Sequence, residues 1–332
     1  MQKSGLKSAQ PSLMWIYFSV LGTVVLIWFL YMLFANQWHL FATHWQISLT
    51  MLFGSFVAGS TPQGGAVVAF PVFTKLLQIS APDSRTFGFM IQAVGMVMAS
   101  IMILVRRIKI LPHVILWVSL GGFAGTWLGT YFLILPALFP RILFTIGATS
   151  FAVALVISRW VLPCSPKSGL PAWNMLYKLG FLAIGVVGGV FSAQTGSGAD
   201  MITFIVLTLT FGINEKISTP TTVIIMGINS VFGFLLYGVF IQDIGQVWNF
   251  WLVAIPIVSL GAPIGAFVVS LIDRDVLISF ILLLIVVELV STLILISFSA
   301  PMIVTTVVAV SACAISFFMM LAYRQQNIAI AT

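Results

Sequence analysis

Glu288 stands alone among apolar residues in LLLIVVELVSTLI, and Asp200 closes the run GSGAD. A carboxylate in such a setting can carry a proton, balance a bound cation or cap a helix. Two runs rich in glycine and small polar residues offer a second kind of chemistry. One is Gly59-Ser60-Thr61-Pro62-Gln63-Gly64-Gly65; the other extends from Gly188 to Gly198 as GGVFSAQTGSG. Ser60, Thr61, Gln63, Ser192, Gln194, Thr195 and Ser197 supply neutral hydrogen-bond donors, and Gly64, Gly65, Gly196 and Gly198 let a ligand approach the backbone. Neither run contains Lys or Arg. Donors of this kind suit an anion that must be released as well as bound. The plainer alternative is that the glycines only permit tight packing at a kink.

Other chemistries lack their residues. HExxH is absent, and His39, His44 and His113 lie in or beside loops, away from any serine nucleophile. Gly196-Ser197-Gly198-Ala199-Asp200 is out of register with the GxGD pattern of intramembrane aspartyl proteases, which also need a second carboxylate sharing a proton. Cys164 and Cys313 are too few for a disulfide framework or a cysteine metal site. The reading is of a chain that is not an enzyme, with no cofactor and no metal.

The elements that hold these residues follow from composition. Of 332 residues, 61% are hydrophobic and only 6% charged. Soluble proteins carry about 25% charged residues, and disorder needs low hydrophobicity, so both classes are excluded. The net charge of +7 is then a topology signal rather than a nucleic-acid footprint. A bilayer core about 30 Å thick needs roughly 20 apolar residues of helix. Such segments run near 13–35, 84–105, 112–135, 141–161, 217–240, 247–271, 276–298 and 301–323. The first is too long for a cleavable signal and reads as a retained span. Two more stretches, 47–78 and 179–211, are interrupted by the glycine-rich runs. Glycine costs about 1 kcal/mol and proline about 3 in a helix interior, so each is expected to be two half-helices joined by an unwound turn.

Charge placement sets the topology. With both broken stretches re-entrant and the N-terminus cytoplasmic, 11 of the 14 basic residues face the cytoplasm, leaving Lys75, Arg85 and Arg141 outside. With both crossing, the division is 8 to 6, so the positive-inside rule favours hairpins. The expected fold is an all-α integral membrane protein with about eight full spans plus two hairpins and both termini cytoplasmic.

Val118-Ser119-Leu120-Gly121 recurs 140 residues later as Val258-Ser259-Leu260-Gly261, each followed by another glycine, Gly125 or Gly265. Small residues four apart are most simply helix-packing positions. Gln63 with Gln194, and Gly65 with Gly196, align at an offset of 131. The chain then divides into an extra span and loop (1–45), a first transport repeat (46–162), a linker (163–178), a second repeat (179–298) and a final span and tail (299–332). Three crossings separate the hairpins, which makes the repeats inverted. Paired broken helices in inverted repeats point to a secondary transporter with its site between the units.

With these residues the chain resembles the TauE/SafE sulfite exporter family, also called the toluene sulfonate uptake permease group. The resemblance covers roughly residues 46–298 and rests on the two glycine-rich hairpins, the polar loops after them (Ala81-Pro82-Asp83-Ser84 and Asn214-Glu215-Lys216-Ile217-Ser218) and the VSLGxxxG spans. A more glycine-rich first turn, with a small residue in place of Pro62 and Gln63, is usual in the family. The resemblance implies transport of sulfite or a small organosulfonate across a bacterial inner membrane, usually outward.

Each hairpin turn should expose backbone N–H groups to such an anion. Asn229 and Gln92 either line the cavity or bridge helices. Glu288 either couples flux to a proton, bonds a neighbouring helix as a protonated structural group, or belongs to a span whose end is shifted. Asp200 either couples, to a proton or sodium, or caps the second half-helix. Arg85 and Lys216, at span entrances, either draw the anion in or snorkel to the interface. An anion channel is the alternative function. Besides its substrate the chain should meet only lipid, with no nucleic-acid partner; the sequence leaves its oligomeric state open.

Overall fold

The computed structural model describes residues 11–61, 64–133, 135–136, 138–161, 169–170, 173–269, 274–296 and 299–329. Lys3, Lys7, Gln63, Cys164 and Lys167 lie outside them, as does the side chain of Ser60.

The described residues are helical almost throughout. In chain order the helices are α1 Pro11–Phe34, α2 Leu40–Thr43, α3 Trp45–Ser60, α4 Ala66–Pro71, α5 Ala81–Val105, α6 Pro112–Phe132 and α7 Phe139–Val156. There follow α8 Met175–Thr195, α9 Ala199–Ile205, α10 Glu215–Leu235, α11 Val247–Val269, α12 Arg274–Leu295 and α13 Ala300–Ala329. Among the described residues nine helices are long and apolar enough to cross a membrane. The chain is thus an all-α, multi-pass membrane protein.

One helix more than expected reaches crossing length. The first arm of the 179–211 hairpin is α8, which begins at Met175 and has 21 residues, about 31 Å at 1.5 Å per residue. The interruption falls where expected, but near the end of a full-length helix rather than midway. The first arm of the other hairpin, α3, has 16 residues. Both return arms are short: α4 and α9 each run into a π-helical turn, Val72–Leu76 and Val206–Thr210.

The backbone repeats itself 134 residues apart with more detail than the letters do. The π-helical turns match at that offset, and so do the left-handed residues behind them, Gln78 and Gly212. The Ser80 side chain accepts from the Asp83 N–H at the start of α5, and the Asn214 side chain from the Lys216 N–H at the start of α10. These caps each satisfy a donor that the first turn of a helix leaves free. Turn alignment by glutamines is therefore off by about three residues. At the offset of 134, Gln194 inside α8 matches Ser60, the last residue of α3.

Glycine sets the closest packing. Gly121, Gly125 and Gly129 of α6 meet Gly185, Gly189 and Val190 of α8, with the two helices running in the same direction. A Cβ on Gly129 would stand 2.7 Å from the Ala193 methyl. Gly261 and Gly265 bring α11 against Ser55 and Phe56 of α3 in the same way. The VSLGxxxG repeats are thus helix-packing surfaces. The return arms rest elsewhere, on a core between α7 and α12. There Phe70 of α4 stacks on Phe144 at 4.8 Å, and Phe204 of α9 meets Phe151 at 5.3 Å. The extra helices hold the outside: Trp28 of α1 donates to the Leu252 carbonyl, and Arg324 of α13 to the Thr208 carbonyl behind α9.

Asn36 and Asn174 are exposed, one before each hairpin. In a background without Cys164 and Cys313, Asn36→Cys should react with an impermeant maleimide added outside intact cells. Asn174→Cys should react only after permeabilisation. Labelling of both from one side would rule out an inverted pair of hairpins.

Candidate functional site

The second turn closes on itself. Gly196 takes φ +83° after α8 and donates its N–H to the Ser192 carbonyl. A side chain is disfavoured there for conformational reasons, and a Cβ would also stand 2.8 Å from the Arg85 carbonyl of α5. Thr195 Oγ donates to the Ser197 carbonyl at 2.7 Å, and Ser192 Oγ accepts from the Ala199 N–H at 3.3 Å. Asp200, fully buried in the first turn of α9, folds back over the turn. Its carboxylate accepts from the Gly198 N–H at 2.9 Å and from Ser197 Oγ at 3.2 Å. That is the capping role foreseen for it. Gln194 reaches sideways and donates to the carbonyls of Gly129 and Leu133, tying α8 to the end of α6.

The first turn is less self-contained. Gly64 takes φ +66° and Gly65 packs on α3, where a Cβ would lie 2.9 Å from the Gly54 carbonyl. Thr61 is buried, and its hydroxyl has no partner among the described residues. The side chain of Gln92, on α5, points toward this turn. Its Oε1 accepts from Ser230 Oγ of α10 at 3.0 Å, while its Nε2 is buried without a partner among the described residues. Gly65, Gly88 and Gln92 line one small cavity of about 20 Å³, otherwise walled by apolar side chains such as Met51, Met96 and Val258. Gly88 joins the two turns: it lines this cavity, and its Cβ position is 3.6 Å from Gly196 Cα.

The remaining candidates separate. Asn229 donates to the Ile225 carbonyl and faces Gly122 of α6, a place between helices. Lys216 is exposed at the start of α10, as a snorkelling residue would be. Arg85 is not at the surface alone: its Nη1 donates to the Ala193 carbonyl near the second turn, and its guanidinium lies 4.2 Å over the Tyr237 ring. A cation therefore stands beside a turn that contains none.

Glu288 is not a lone carboxylate. It forms a buried salt bridge with Lys75, the last basic residue of the first return arm. Lys75 Nζ also contacts the Glu288 carbonyl at 3.1 Å, Ser291 Oγ at 2.9 Å and Thr292 Oγ at 2.7 Å. The other carboxylate oxygen accepts from Thr145 Oγ of α7 at 2.8 Å. Charge counting places Lys75 on the outer side, whereas the structure buries it. The only local signal was a lysine within the apolar return arm FPVFTKLL; its partner is 213 residues away.

A family model described as Sulfite exporter TauE/SafE matches residues 47–292. The chain belongs to the TauE/SafE sulfite exporter family. No curated protein and no solved structure matches it. TauE/SafE proteins are membrane transporters of small sulfur-containing anions and not enzymes. The matched region runs from α3 into α12, so it takes in both hairpins, the Gln92 cavity and the Lys75–Glu288 pair.

Removing one partner of a buried ion pair leaves the other charge unpaired, at about 3–5 kcal/mol, whereas replacing both by apolar groups of similar volume is often neutral. Lys75→Met should therefore lower the melting temperature of the detergent-solubilised protein markedly. Adding Glu288→Leu should restore much of the loss. A double variant no more stable than Lys75→Met would show that the pair is not the source of the effect.

Proposed function

We propose that this chain is a secondary transporter that moves sulfite or a small organosulfonate outward across a bacterial inner membrane by alternating access. Residues 46–162 and 179–298 act as inverted repeats, and the substrate passes between their broken hairpins. The observation that supports this most is the meeting of both turns on one helix, at Gly88 of α5, in a chain of the TauE/SafE family. Irregular backbone at membrane depth is tolerated where it is buried in protein or lines a cavity. Two such turns meeting beside one residue would supply a place where a ligand can be reached from either face in turn.

The anion is held through backbone and neutral side-chain donors around Thr61, Gly64 and Gly65, with Arg85 raising its local concentration. Of the two coupling candidates, Asp200 suits the task better than Glu288. The Glu288 charge is already balanced by Lys75. The hydrogen-bond partners of Asp200 are uncharged, so a single proton or sodium ion can neutralise it and free the second turn to move.

Purified protein in liposomes should show saturable sulfite flux, with accelerated exchange when unlabelled sulfite is placed on the far side. Flux that never saturates and shows no counterflow would replace the transporter by an anion channel. Asp200→Asn should retain sulfite exchange but lose its dependence on a pH or sodium gradient. An unchanged gradient dependence in that variant would remove Asp200 from the coupling step.

A further inference from the structure

The two turns look equivalent in the sequence but differ in what they have left to offer a ligand. At the second turn the donors of Ser197, Gly198, Ala199 and Gln194 are spent, and the one left beside it among the described residues, Arg85 Nε, belongs to a guanidinium already held on the Ala193 carbonyl and the Tyr237 ring. The Gly198 N–H and Ser197 hydroxyl go to Asp200, the Ala199 N–H goes to Ser192 Oγ, and the Gln194 amide goes to two carbonyls of α6. An anion arriving there would also meet the Asp200 carboxylate, which already occupies the position an anion would take. The corresponding place in the first turn, 134 residues earlier, is Ala66.

At the first turn the balance is reversed. Gln92 is 3% exposed, lines the cavity beside Gly65 and Gly88, and carries an amide nitrogen with no partner among the described residues. A buried unsatisfied donor costs roughly 1–3 kcal/mol, and here it is directed by a hydrogen bond from Ser230 to the other end of the amide. Its repeat counterpart is Met226, whose thioether packs against Gly64. The first turn therefore carries a polar group on α5 facing an apolar one on α10. Thr61 adds a second buried hydroxyl without a partner among the described residues.

We infer that the substrate oxyanion binds at the first turn alone, with Gln92 Nε2 as its principal side-chain donor, and that the second turn serves as a structural and coupling element. This rests on the proposed sulfite or sulfonate transport and names the residue that would recognise that anion. The cavity of about 20 Å³ holds a single water-sized group. Admitting a three-oxygen anion requires Met51, Met96 and Met226 to swing aside, which unbranched thioether side chains do readily. Substrate entry and retraction of the Gly64–Gly65 turn then become one movement.

The test is equilibrium binding of sulfite, and separately isethionate, to the purified full-length protein, with melting temperature recorded for each variant. Gln92→Glu keeps the acceptor used by Ser230 but replaces the free donor with a negative charge; it should weaken sulfite binding at least tenfold. Gln92→Leu should do the same. Gln194→Ala should lower the melting temperature yet keep the sulfite affinity within twofold. Wild-type affinity in Gln92→Glu, or a tenfold loss in Gln194→Ala at unchanged stability, would overturn the assignment. Failure of the wild type to bind either anion would instead overturn the substrate class on which the assignment rests.

Discussion

A bilayer offers no water to a peptide group, so every N–H and C=O released by a broken helix must find its partner inside the protein. Both hairpins break their helices, and the rest of the architecture answers that demand. Asp200, Ser192 and Ser197 satisfy the second turn from within. Gln194 and Arg85 bind it to α6 and α5. The first turn leans on α3 and α5 through glycine contacts and retains polar atoms that nothing in the described residues has claimed. Two buried polar atoms without a partner among the described residues, Thr61 Oγ and Gln92 Nε2, thus stand where a passing ligand could use them.

Two kinds of contact divide the molecule. Glycine lets α6 press on α8 and α11 on α3 at backbone distance, making paired long helices with little room to slide. The return arms α4 and α9 instead sit on aromatic residues of α7 and in the core shared with α12. Aromatic faces tolerate small displacements better than interlocked backbones do.

The Lys75–Glu288 pair reinforces that division. Lys75 closes the first return arm and Glu288 stands on α12, with Thr145 of α7 as third party. Each charge would be costly alone in hydrocarbon, yet together with the three hydroxyl groups of Thr145, Ser291 and Thr292 they form a satisfied cluster. The return arm is held to α7 and α12 by charge as well as by Phe70. Its attachment has a defined geometry rather than a greasy one.

Sequence alone settled whatever depends on local cost. Apolar length and scarcity of charge made a multi-span helical membrane protein, and glycine and proline penalties located both breaks. The glycine spacing of VSLGxxxG marked two packing faces, and the same features led to the TauE/SafE family. Asp200 as a cap was legible because capping is decided within one helical turn. The tertiary structure decided what depends on distant partners. It paired Glu288 with Lys75 across 213 residues, shifted the match between the repeats from the glutamines to an offset of 134, and extended α8 to crossing length. It also separated the two turns, one filled by its own carboxylate and one facing a Gln92 amide nitrogen that no described residue engages. Letters show which groups a chain owns. Only packing determines which of them have already been used, because a hydrogen-bond donor is spent or free according to neighbours that the local sequence does not contain.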